Sequence, residues 1–124
     1  MRPAGILVAL TALVACGDRE IRIGESESAR TVSAEPGEEF AVLVETNASI
    51  GWEWGITAMP DPEVATFVDR SHEADEPEAT GSGSTDAFRF RAVGVGETTL
   101  TLTRTYRDEG PDRQVAITVR VQSG

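Results

Sequence analysis

The chain has 124 residues, 40% of them hydrophobic and 26% charged, the composition of a globular protein with room for one core. Its 21 acidic residues against 11 basic ones leave a formal charge of −10, and every basic residue is Arg. This argues against nucleic acid as a partner, because binding it needs clustered positive charge that neutralises phosphates, and against attraction to anionic membrane surfaces.

In chain order, Arg2 is followed by an apolar run from Ile6 to Ala15 and by Leu13-Val14-Ala15-Cys16, the layout of an export signal. The run is about half the roughly 20 residues that a membrane-spanning helix requires. Leu13-Val14-Ala15-Cys16 resembles the lipobox of bacterial lipoproteins, in which the Cys is acylated and becomes the first mature residue. Residues 1–15 are then a signal peptide, and Cys16 anchors an exported protein to the bacterial envelope, in the periplasm or at the cell surface. An ordinary secretory signal that happens to contain a Cys is the alternative. Cys16 is the only cysteine, so no internal disulfide can form and stability must come from the core.

Gly17 to Ser28 is polar and charged and reads as a tether, so that Cys16 and the tether fill residues 16–28 and the domain fills 29–124. Ala29 to Ser33 is a first strand, closed by the turn signal Glu35-Pro36-Gly37. Phe40, Val42 and Val44 then alternate with Ala41, Leu43 and Glu45, and Gly51 to Ile56 puts Trp52, Trp54 and Ile56 on one face. Val64 to Val68 follows the breaker Pro60-Asp61-Pro62, whereas Ser71 to Ser84, with its acidic residues and glycines, reads as an exposed loop. Phe88, Phe90 and Ala92, then Leu100 and Leu102, then Val115, Ile117, Val119 and Val121 complete the period-two pattern. No window has a helical period. The pattern predicts an all-β protein, an immunoglobulin-like two-sheet sandwich of about seven strands.

Reactive chemistry is sparse. The only His, His72, lies in the acidic stretch, so a Cys–His pair or a zinc centre lacks its parts, and no cofactor is expected. The acidic stretch lacks the order of a calcium loop, and Gly81 and Gly83 make only half of a dinucleotide-binding fingerprint. An enzyme is therefore not expected. What the strand order does place together is three connections. In such a sandwich Asn47 to Ile50, Gly81 to Thr85 and Thr105 to Asp112 fall at the same end.

The residues there resemble the chagasin family of inhibitors of papain-like cysteine proteases. The family's first loop reads Asn-Pro-Thr-Thr-Gly-aromatic-x-Trp, and this chain has Asn47-Ala48-Ser49-Ile50-Gly51-Trp52-Glu53-Trp54. Its Gly-x-Gly-Gly loop is matched by Gly81-Ser82-Gly83 with Ser84 in the last place, and its Arg-Pro-Trp by Arg104-Thr105-Tyr106. The resemblance runs from about Ala29 to Gln122. It implies a monomeric, reversible, competitive inhibitor in which Asn47, Ser49, Ile50, Gly51 and Trp52 enter the protease cleft over its catalytic Cys and His. Gly81, Ser82, Gly83, Arg104 and Tyr106 would then grip the cleft walls. Ala48 and Thr105 each replace a stiffening Pro, and Ile50 replaces a hydroxyl-bearing Thr. Trp54 is expected in the core, with Trp52 open between core and interface. The rival function is a non-inhibitory immunoglobulin-like module, for adhesion or envelope assembly, on the same anchor.

Overall fold

The computed structural model describes residues 19–47, 51–74 and 83–124; the segment 1–15, expected to be a signal peptide, and Cys16 lie outside these. Among the described residues eight strands form: β1 (Arg19–Arg22), β2 (Ala29–Ala34), β3 (Glu39–Thr46), β4 (Trp52–Ala58), β5 (Ala65–Ala74), β6 (Ser84–Ala92), β7 (Gly96–Tyr106) and β8 (Pro111–Val121). A 3-10 turn at Arg107–Glu109 precedes β8. Two four-stranded sheets, in the orders β1-β3-β6-β5 and β2-β8-β7-β4, face each other. β1 runs parallel to β3 and β2 parallel to β8, and every other pair is antiparallel.

The alternation seen in the sequence becomes the sandwich interior. In β6 the side chains of Ser84, Asp86, Phe88, Phe90 and Ala92 are buried while those between them are more open, and β8 buries Val115, Ile117, Val119 and Val121 in the same way. Phe40 and Phe90, opposite each other on β3 and β6, stack at 5.7 Å between ring centroids. Full burial of such a side chain contributes about 1.5–3 kcal/mol each. Trp54, only 3% exposed, lies in this core as expected, and its indole N–H donates to the Glu45 carbonyl at 2.9 Å, so that β4 of one sheet is joined to β3 of the other.

Two boundaries differ from the sequence reading. The tether expected over residues 17–28 contains β1, whose Ile21, together with Ile23, is buried, and the sandwich therefore includes residues 19–23 ahead of Ala29. An apolar pair separated by charged neighbours is a strand too short to register as an alternation, and its pairing with β3 supplies the stability that its length does not. The exposed loop expected from Ser71 is strand as far as Ala74, paired with β6 down to Ala74 opposite Ser84. Polarity there reports an edge position, where charged side chains are well tolerated, and not an absence of strand.

Candidate functional site

The register fixes which connections meet. Thr46, the last residue of β3, lies opposite Ser84, the first of β6, and Ser84 lies opposite Ala74, the last of β5. In the other sheet Trp52, the first residue of β4, lies opposite Tyr106, the last of β7. The β3–β4, β5–β6 and β7–β8 connections therefore share one end of the sandwich. Asn47, Gly51, Trp52, Gly83, Arg104 and Tyr106 belong to this end; Ser49, Ile50, Gly81 and Ser82 lie outside the described residues.

The β3–β4 connection is held at its base from both sheets. Trp52 donates its N–H to the Asn47 carbonyl at 3.0 Å, closing a β-bridge, and the Thr46 hydroxyl donates to the Trp52 carbonyl at 2.8 Å. Gly51 sits at φ +97°, a conformation that favours glycine, and its carbonyl accepts the Arg107 N–H at 2.9 Å. A Cβ on Gly51 would run into the Cγ of Arg107. Arg107 itself has φ +51°, uncommon for a residue with a side chain. Tyr106 donates its N–H to Gly110 at 3.1 Å, which closes the β7–β8 connection over residues 107–110. Tyr106, read from sequence within the Thr105 to Asp112 connection, is the last residue of β7, with Arg104 two places before it. The first and third connections are fastened to each other through Gly51 and Arg107.

Arg104 has its partners within the chain. Its guanidinium lies 4.2 Å from the centre of the Trp52 ring system and donates through two nitrogens to the Asp112 carboxylate, each at 3.0 Å. The hydrogen bonds from Arg104 hold the Asp112 carboxyl below its ordinary value of 3.8, against the opposing pull of desolvation. With a side chain only 17% exposed, Arg104 is a clamp on one face of Trp52, leaving Trp52 half-buried at the rim. On the neighbouring ring, Arg107 stands 5.1 Å above Tyr106. The sequence named Arg104, Trp52 and Tyr106, but not Asp112 or Arg107. Asp112 becomes visible only once β7 and β8 are set in register, with Arg104 opposite Arg113.

His72 is on β5, not in a loop, and its Nδ1 is 2.5 Å from Oδ1 of Asp86, whose other oxygen accepts from Arg70 at 2.6 Å. Asp86 is 1% exposed. A buried carboxylate with both oxygens paired is a fastening between β5 and β6, not a reactive group. Among the described residues no group of three or more His, Cys, Asp or Glu side chains is arranged to hold a metal ion.

No curated protein sequence matches this chain. Its fold is similar to that of the cysteine protease inhibitor EhICP2 from Entamoeba histolytica, with a TM-score of 0.66 and 20% identity, over 85% of this chain and 97% of that one. Amebosin is similar with a TM-score of 0.64 and 21% identity, over 86% and 100% of the two chains. PbICP-C, in its complex with falcipain-2, gives a TM-score of 0.55 at 16% identity, over 84% and 99%. These likenesses are of fold, whereas the sequence profile of the chagasin family peptidase inhibitors (I42) matches residues 33–121 directly: the chain belongs to that family.

Proposed function

We propose that this chain inhibits papain-like cysteine proteases reversibly and competitively, with the three-connection end of the sandwich as its binding surface. The observation that carries this is the fastening of the first connection to the third, Gly51 carbonyl to Arg107 N–H, beside the half-buried pair Trp52 and Tyr106. Trp52, held on one face by Arg104, which is itself paired with Asp112, loses little side-chain entropy on binding, which is what an interface anchor needs. Asn47, Ser49, Ile50, Gly51 and Trp52 cover the catalytic centre, and Gly81, Ser82, Gly83 and Tyr106 contact the cleft walls. Arg104 acts by positioning Trp52. No peptide bond need be cleaved, and about 800 Å² per partner is an ordinary area for such a complex.

The lipobox-like Leu13-Val14-Ala15-Cys16 supports the rest of the reading: the protein is exported and anchored to the bacterial envelope by acylation of Cys16. Among the described residues no helix is long and apolar enough to cross a membrane.

Titration of the purified domain against a papain-like protease tests the inhibitory role. Competitive inhibition is expected, weakened by Tyr106→Ala by about 1–3 kcal/mol, or roughly fivefold to 150-fold, with little change in the melting transition. A folded protein that leaves the protease untouched at micromolar concentration would hand the case to a non-inhibitory module.

A further inference from the structure

The sandwich has a second end, and the chain enters there. Arg19 opens β1 at the level of Phe40 and Phe90, and β3 then runs away from that level to Thr46 at the three-connection end. The turn at residues 35–38, the β4–β5 connection and the β6–β7 turn all lie at the entry end. Gly37 N–H donates to the Ala92 carbonyl, Val93 N–H to Val64, and Asp61 N–H to the Thr98 hydroxyl.

The apolar surface is distributed to match. The exposed large hydrophobic side chains among the described residues are Met59 (61%), Phe67, Val68, Val93 (45%) and Val95 (65%). All five belong to the entry half. Val93 and Val95 project from a turn of fixed shape: a Cβ on Gly94 would stand 2.7 Å from the Glu63 carbonyl oxygen, so the turn is pressed against backbone. Only Gly17 and Asp18 separate Cys16 from Arg19, a stretch that spans at most about 11 Å when fully extended.

We propose that the entry end of the sandwich rests on the lipid bilayer, with Val93 and Val95 seated in its interfacial layer and the three-connection end pointing outward. The proposal rests on the acylation of Cys16 and goes beyond it: a long tether would leave the domain free to tumble, whereas so short a link holds this face at the membrane. Two valines bind a bilayer weakly by themselves, but a short covalent link makes the contact effectively intramolecular. The occupant is an uncharged or zwitterionic lipid surface, because Arg19, Arg91 and Arg120 at this end are already paired with Glu38, Glu39 and Glu97, and Glu35, Asp61 and Glu63 add negative charge. Eight residues of β3, at about 3.3 Å each, set the recognition end roughly 25 Å farther from the membrane.

The test uses the full lipidated protein in phosphatidylcholine vesicles, after mass spectrometry of the mature chain. Nitroxide labels are placed at Val95→Cys and, in separate protein, at Glu73→Cys near the other end; the acylated Cys16 has no free thiol to compete. Collision with a water-soluble nickel chelate should be several-fold lower at position 95 than at 73, and equal at both in the Cys16→Ser protein, which stays off the vesicles. An unchanged melting transition in both labelled proteins reports that they are folded. A mature chain without acyl mass overturns the anchor and the orientation with it. An acylated chain with equal accessibility at the two positions overturns the orientation alone.

Discussion

Gly51→Ala probes the fastening between the first and third connections. The substituted residue must keep φ near +97° or break its carbonyl's bond to Arg107 N–H, and its Cβ meets the Arg107 side chain. Left-handed backbone costs a residue with a Cβ about 1–2 kcal/mol. The collision adds to this, although the aliphatic stem of Arg107 can swing aside and dissipate part of it. A loss of about 2 kcal/mol in urea unfolding is expected, within the ordinary range for a strained site. Arg107→Gly removes the stem and frees the strained φ, so the double variant should be less destabilised than the two single losses together, by about 0.5–1.5 kcal/mol. Inhibition constants measured on the same four proteins should show Gly51→Ala weakened beyond its loss of stability, because both connections shift together. Additivity within about 0.5 kcal/mol would mean that Gly51 and Arg107 are not in contact, and the fastening would be refuted.

Trp54→Ala should destabilise by about 3–5 kcal/mol, the range for truncating a large buried aromatic, and Trp54→Phe by far less; near-equal melting temperatures for wild type and Trp54→Ala would place this ring outside the core. Ile50→Thr restores the family's hydroxyl at the protease's catalytic centre and should tighten inhibition by roughly tenfold, since a buried unsatisfied group costs about 1–3 kcal/mol; unchanged inhibition constants would show the hydroxyl to be irrelevant. Asp112 and Glu27 titrate below their ordinary values of 3.8 and 4.5, held chiefly by hydrogen bonds from Arg104 and Arg30. Their depressed folded-state values make these pairs stabilising above the ordinary carboxylate range, and that contribution is lost as the pH falls below it, through the folded-state values. Asp112→Asn should therefore narrow its stability gap to wild type between pH 7 and pH 3, and a gap that stays constant would contradict the assignment.

Much of the sandwich was legible because its central strands alternate with period two. Phe88, Phe90, Leu100, Leu102 and the β8 residues from Val115 to Val121 each fill the inward position that alternation assigns them. The edges were not. β1 is too short to signal itself, and the far half of β5 carries Arg70 and His72, whose charge and polarity serve the buried Asp86 across the strand pair. At the site, Arg104 was legible as a candidate residue, but its partner Asp112 was not. A bidentate pair between residues eight apart in sequence depends on the hairpin register, which no local pattern encodes.

The parallel pairing of β2 with β8 sets Ala29 beside Ala116 and Ala34 beside Val121. One of the earliest strands of the domain thus has no neighbour in its sheet until nearly the last residue has been made. Sheets assembled from such distant segments form slowly, because loop closure must precede any reward from the contacts. A nascent chain lacking its final dozen residues cannot close the second sheet around Leu100 and Leu102. For a chain exported as proposed above, this order would leave the second sheet to close on the far side of the membrane.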